Sequence, residues 1–317
     1  LKNSWSSLPV HKKKSANQLI KRMVDLGFFE YGQLREFTKN NLSSTKPDPF
    51  DPKKGRLNDY EYSAFAKALE SEINSICWDG LERKDYLEWG SFNGVRNKVA
   101  IKLLANTLRR PQQIVNLKWC DLIPVGDSFN GGGRDIIELG EIGKDSLQLR
   151  VFRLKNSAPG VSSRDNPEKY AIALSEKLSY VMLQYKNAYY KGLRWMFEDS
   201  GLSVDKDIIL LAMKYMPIFP AFGFFEKKYE SIDDLNNCFN NKTTMQHASP
   251  LIFRYLSEIT VPSDRVSRAI VNNNRLRHTA LTRGAEDGLD VAEIARITGV
   301  TVPAARHYID IDYDARV

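Results

Sequence analysis

Cysteine is scarce in this chain of 317 residues. The three present, Cys77, Cys120 and Cys238, stand far apart, with no Cys-x-x-Cys pair and no Cys/His ligand spacing. That excludes a disulfide framework and a zinc module, and it points to a reducing compartment such as the bacterial cytosol. Long apolar runs are missing too. The longest, such as IILLAM at 208–213, fall well short of the roughly 20 residues a membrane span requires, so no membrane partner is expected. Neither a glycine-rich phosphate loop nor a cluster of carboxylates is present. No internal repeat or low-complexity tract is visible. The chain opens on Leu1 rather than Met and carries no signal peptide, which leads to the expectation that it is a piece of a longer protein.

What is present is an ordinary globular composition, 42% hydrophobic and 27% charged, with a net charge of +7. The charge is unevenly placed. Residues 1–55 hold eleven Lys/Arg against five Asp/Glu, including Lys12-Lys13-Lys14, so this arm supplies +6 of the +7. A polyanionic partner fits such an arm, and a solvated lysine face is the alternative.

Residues 15–40 carry apolar side chains at helical spacing and lead into the Pro/Lys/Ser stretch NLSSTKPDPFDPKKG, which places a boundary near residue 55. Beyond it, LNDYEYSAFAKALESEINSI (57–76) has Asn58 as an N-cap candidate, and FNGVRNKVAIKLLANTL (92–108) repeats the helical pattern. RRPQQIVNLKWCDL (109–122) reads as a further helix opened by a proline. DIIELGEI, SLQLRVFRLK and KYAIALS read as short strands. Helical spacing returns over 174–200 and again from 251 onward, while 201–250 shows no usable period. The expected fold is mainly α with a small antiparallel β-sheet (α+β), in two parts, residues 1–55 and 56–317.

Two arginine groups and one phenol carry the chemistry. The segment 272–284, NNNRLRHTALTRG, sets Arg275, Arg277, His278 and Arg283 ahead of a helix-Gly-helix stretch that ends at Tyr308. Arg109 and Arg110 open a helix far upstream, where backbone N–H groups also favour an anion. A guanidinium suits phosphate because its planar fork donates two parallel hydrogen bonds and stays charged at any working pH. Two such forks and a phenol point to phosphoryl transfer.

These stretches resemble the boxes of the tyrosine recombinases of the phage-integrase family, over roughly residues 57–310. TLRRPQQIVNLKWCDL resembles the first-arginine box, in which an arginine opens a helix ending in Leu-x-Trp-x-Asp. Counting back from Leu117-Lys118-Trp119 puts Arg110 in that role. NRLRHTALTRGAEDGLDVAEIARITGV resembles the second box, which puts Arg277 at the second catalytic arginine and Tyr308 at the nucleophile. SLQLRVFRLKNS puts Lys155 at the end of the strand that carries the family's catalytic lysine, and Lys169, at the start of the opposite strand, is the alternative. Asn274 stands at the family's His/Lys position, and Gly299 or Val300 at its His/Trp position. Asn cannot take a proton as a general base, and neither Gly nor Val has a side chain that donates to phosphate.

The resemblance implies a tyrosine-recombinase-like catalytic domain, preceded in residues 1–55 by the C-terminal part of a core-binding domain and its basic linker. It implies site-specific DNA recombination or integration on behalf of a mobile genetic element, through a 3′-phosphotyrosyl intermediate that keeps the bond energy, so that no metal and no other cofactor is needed. The implied partners are double-stranded DNA and further copies of the chain, as a tetramer on paired sites. Lys12, Lys13, Lys14, Lys53, Lys54 and Arg275 are the expected DNA contacts. A catalytically weak relative, a helix-turn-helix DNA-binding protein and a type IB topoisomerase-like enzyme are the alternatives.

Overall fold

The computed structural model describes residues 22–23, 26–27, 51–53, 55–127, 129, 146–153, 166–202, 205–231, 233–234 and 259–306. The chain divides into two compact units, Leu1–Asp48 and Pro49–Val317, and the larger carries everything that follows. Its architecture is mainly helical with a small antiparallel sheet, as expected.

Helix α1, Asp59–Asn74, starts with the reciprocal cap that Asn58 encodes. Asn58 Oδ1 accepts from the Glu61 N–H at 2.9 Å while Glu61 Oε2 accepts from the Asn58 N–H at 3.1 Å, so two otherwise orphaned donors are satisfied at once. Phe65, Leu69 and Ile73 follow at four-residue spacing and form the buried stripe. Helix α2, Phe92–Thr107, is buried over most of its circumference and runs through the core, with Val99, Ala100, Leu103 and Leu104 fully buried. It stops at Leu108, which takes a left-handed conformation (φ 54°) and turns the chain sharply.

The next helix, α3, is only Pro111–Val115. The sequence pattern predicts a helix to residue 122, and the backbone hydrogen bonds explain the difference. Trp119 N–H donates to Met216 O and Ile218 N–H donates to Leu117 O, so the backbone here pairs with the 216–218 segment and the helix does not continue. Strands β1 (Leu122–Pro124), β2 (Leu147–Leu149) and β3 (Ile172–Ala173) form the antiparallel sheet in the order β1-β2-β3, with Leu122 opposite Leu149 and Leu149 opposite Ile172. The expected strand DIIELGEI lies outside the described residues.

Helix α4, Glu176–Asp199, is capped by the Ser175 hydroxyl and buries Tyr185, Tyr189, Leu193 and Met196. Residues 201–250, which carry no period in the sequence, supply a helix, α5 (Lys206–Met213), and a set of buried aromatics, Phe219, Phe224 and Phe225. Edge-to-face and stacked contacts join Phe92, Trp119, Tyr185, Tyr189 and these phenylalanines into one aromatic core. A short ribbon, β4 (Thr260–Val261) with β5 (Ala269–Ile270), precedes helix α6, Asn273–Glu286, and helix α7, Val291–Thr298. A small separate core of Leu281, Ile294, Ala295 and Ala305 packs α6, α7 and the helical residues 302–306 together. Among the described residues no helix is long and apolar enough to cross a membrane.

Candidate active site

The second-box arginines lie on one helix yet go three ways. Helix α6 is opened by Asn272, whose side chain accepts from the Arg275 N–H at 3.0 Å. Residues two apart on a helix face different neighbours. Arg277 turns toward the end of α7, where its Nη2 donates to Thr298 O at 3.1 Å. Arg283 turns toward α1, donating to Asp59 at 2.6 Å and lying 4.3 Å over the Tyr62 ring.

Arg275 turns inward, and the expectation that it contacts DNA is corrected. It is 1% exposed, and its guanidinium donates to Gly55 O, Ile270 O, Arg56 O and, at 3.5 Å, Glu61 Oε2. Those acceptors are the carboxylate of buried Glu61 and backbone carbonyls of β5 and of the segment entering α1. Arg275 therefore ties residues 55–56 to α6 rather than reaching a phosphate.

Helix α7 is where two guanidinium groups meet. Asp290 caps its start, accepting from the Ala292 and Glu293 N–H groups, and Gly299 ends it in a left-handed conformation (φ 64°). The Gly299 and Val300 N–H groups both return to Ala295 O. The last carbonyls of a helix have no partner within it and carry the negative end of its dipole. Here Arg109 takes two of them, with Nη1 donating to Ile297 O at 2.6 Å and Nη2 to Arg296 O at 3.3 Å, and Arg277 takes the third, Thr298 O. Three consecutive carbonyls are thus held by arginines from two distant boxes.

Arg109 is 3% exposed, and its Nε donates to Glu168 Oε2 at 3.1 Å. Burial pushes this guanidinium below its usual pKa, and the Glu168 carboxylate acts in the opposite direction. Arg110, its neighbour, is exposed at the N-cap of α3, where its own N–H donates to Gln113 Oε1 at 3.1 Å. The left-handed turn at Leu108 precedes this pair, of which one side chain goes inward and the other outward. Arg110, which holds the first-arginine place by spacing, is the one open to solvent.

The remaining candidates are placed as follows. Asn274 is exposed in the first turn of α6, and His278 is buried on the same helix. Val300 is half-buried against the small core of α6 and α7. Lys169 is exposed beside Tyr170, with Nζ 5.0 Å from the ring centroid, and Lys53 is exposed near the start of the larger unit. Lys12, Lys13, Lys14, Lys54, Lys155, His307 and Tyr308 lie outside the described residues. Among the described residues no three His, Cys, Asp or Glu side chains gather as metal ligands do.

Sequence reasoning named Arg109 only as one of an anion-favouring pair, and it passed over Glu168 and Gln113. The doubled arginine before Pro111 was the available signal. Its partner Glu168 closes the stretch NSAPGVSSRDNPE, which carries no pattern of its own in the sequence.

Gly299 has two reasons to be glycine. Its φ is one that L side chains rarely adopt, and a Cβ built there would stand 2.9 Å from Cζ, Nε and Nη1 of Arg109. Gly299→Ala is expected to cost about 1–2 kcal/mol from the backbone alone. The displaced guanidinium adds to that cost. Thermal melting of Gly299→Ala alone and combined with Arg109→Ala checks this, since the two losses should be less than additive if the contact is real.

Comparison with protein-family models and with curated proteins finds no match to this chain.

Proposed function

We propose that the chain breaks and rejoins double-stranded DNA through a phosphotyrosine at Tyr308, as a site-specific recombinase or integrase with a tyrosine-recombinase-like catalytic fold. The observation that carries this is the meeting of the first and second arginine boxes at the end of α7, the turn from which the chain runs on to Tyr308 nine residues after Gly299. The order of the boxes in the sequence and their junction in the fold both support it.

The Tyr308 oxygen attacks the scissile phosphorus and forms a 3′-phosphotyrosyl ester as the bond to the 5′-oxygen breaks. The phenol passes its proton to solvent, and the leaving 5′-oxygen takes one from Lys155. A 5′-hydroxyl from the partner strand then attacks the ester, releasing Tyr308 and sealing the new junction. Bond energy stays in the ester throughout, so the exchange runs without nucleotide hydrolysis.

A free phenol has a pKa of about 10, so charge on the non-bridging phosphate oxygens and on the phenolate must be stabilised together. Arg110, exposed at the mouth of α3, and Arg277 supply that positive field, the effect that usually contributes most to such catalysis. Asn274 and Val300 replace side chains that move a proton or donate a hydrogen bond elsewhere in the family, which lowers rate without changing the reaction. The basic arm of residues 1–55 holds the phosphate backbone and does not read sequence. Copies of the chain assemble on paired sites as a tetramer.

The test is incubation with a labelled, nicked duplex carrying the ends of the DNA element that encodes the chain. The expected result is a protein–DNA species that survives denaturing electrophoresis. Salt-sensitive binding with no such species on any nicked duplex contradicts the proposal and favours a DNA-binding protein without cutting activity.

A further inference from the structure

Arg109 lies between three elements that the proposed reaction needs in one arrangement. Through Nη1 and Nη2 it holds the Ile297 and Arg296 carbonyls at the end of α7. Through a second bond of Nη1, to Thr107 O at 3.1 Å, it stays anchored to the end of α2. Through Nε it reaches Glu168, and Glu168 is also bonded at Oε1 by Gln113 Nε2 of α3 at 2.9 Å.

Glu168 belongs to the outer end of the β2-β3 hairpin. Its N–H donates to Val151 O at 2.7 Å, and the Arg153 N–H donates to Asn166 O at 2.9 Å, so residues 151–153 and 166–168 continue the antiparallel pairing beyond the sheet. Gln113 Nε2 adds a bond to Phe152 O at 2.8 Å on the opposite side of that pairing. Lys155 follows Arg153 by two residues in the chain.

We propose that Arg109, with Glu168 as its counter-ion, is a positioning residue that holds the lysine-bearing hairpin, the start of the first-arginine helix and the turn leading to Tyr308 in one register. This role rests on the tyrosine-recombinase reading above. Arg109 itself does not reach the phosphate: it is buried, and its donors are directed at the Glu168 carboxylate and at backbone carbonyls. A guanidinium is suited to the task because one rigid plane can hold a carboxylate on one edge and carbonyls on the other. Displacing reacting groups by about 1 Å costs on the order of 100-fold in rate, and this is the size of effect that loosening the junction produces.

The test compares the wild-type chain with Glu168→Gln, Arg109→Lys and Arg109→Ala on nicked duplexes whose scissile 5′-bridging atom is either oxygen or sulfur. Sulfur leaves without needing a proton, so the second substrate bypasses the lysine. Glu168→Gln keeps the side-chain shape and guards against a result that only reports unfolding. For Glu168→Gln and Arg109→Lys the expected result is a loss of roughly 100-fold in the single-turnover rate at saturating DNA, with affinity within about three-fold, on the oxygen substrate. Most of the Glu168→Gln loss should be recovered on the sulfur substrate, while Arg109→Lys, which also loosens the turn leading to Tyr308, should recover less. Rates equal to wild type on the oxygen substrate overturn the proposal, as does an equal Glu168→Gln loss on both substrates, because the hairpin would then not be what the pair positions. If the wild-type chain forms no adduct on either substrate, the underlying reaction is overturned and this role with it.

Discussion

The Tyr308→Phe variant is expected to give no covalent adduct with nicked DNA, a loss of at least about 1,000-fold, while binding the same duplex within about two-fold. The substitution removes one oxygen and leaves the ring. Affinity for a duplex comes mainly from cations that neutralise backbone phosphates, and the eleven lysines and arginines of residues 1–55, with Arg110, are untouched by the change. The carbonyls at the end of α7 keep their arginine donors as well, since Arg109 and Arg277 bond the backbone there. Binding measured by salt-dependent titration and cutting measured on a denaturing gel should therefore separate cleanly. An adduct that persists in the variant would direct attention to another hydroxyl, with Tyr313 the nearest tyrosine in the chain.

The second large effect concerns stability. Glu61→Ala is expected to destabilise the larger unit by about 3–5 kcal/mol, because it leaves a buried cation without its partner. The melting temperature should fall by on the order of 10 °C for a domain of this size. Glu61 is fully buried, and its Oε1 accepts from Ser263 Oγ at 2.5 Å and Arg265 Nε at 3.3 Å. Its Oε2 accepts from Arg265 Nη2 at 2.5 Å, the Asn58 N–H at 3.1 Å and Arg275 Nη2 at 3.5 Å. The cluster joins the start of α1 to the loop after β4 and to α6.

The same group sets a pH dependence. Burial pushes the Glu61 carboxyl up, but the hydrogen bonds from Arg265, Ser263 and Asn58 outweigh it and hold the carboxyl below its usual 4.5. A carboxyl lowered in the folded state contributes stability that is fully present above its unfolded value and is lost as pH falls through the folded one. Wild-type melting temperature should therefore drop with acidification below about pH 4.5, and Glu61→Gln should lose part of that dependence. An identical acid profile in the two chains would contradict this.

Much of the fold could be read from local chemistry. Asn58 and Ser175 each cap a helix that the sequence places within a residue or two, because capping and the apolar stripe are both local. Within 109–122 the proline-opened helix was legible, but residues 117–122 read wrongly because Leu117, Trp119 and Cys120 bond to residues 214–218, a pairing that no window around Trp119 contains. The aromatic stretch at 217–225 had no period because Phe219, Phe224 and Phe225 enter the core from turns and a single short 3₁₀ segment.

The site was readable as a set of residue types and spacings, but not as a division of labour. Spacing puts Arg110 at the first-arginine position, while only the left-handed turn at Leu108 reveals that Arg109 is the buried neighbour. Arg275 and Arg277 look equivalent in NRLRH. Their different neighbours separate them, Glu61 on one side and the end of α7 on the other. A carboxylate some two hundred positions upstream leaves no mark near Arg275.

The most direct measurement is peptide mapping of the adduct formed on nicked DNA. After nuclease and protease digestion, the account predicts one modified peptide, containing Tyr308, with a nucleotide attached through its 3′-phosphate and a free 5′-hydroxyl on the released strand. Attachment at any other residue, or through a 5′-phosphate, would contradict it.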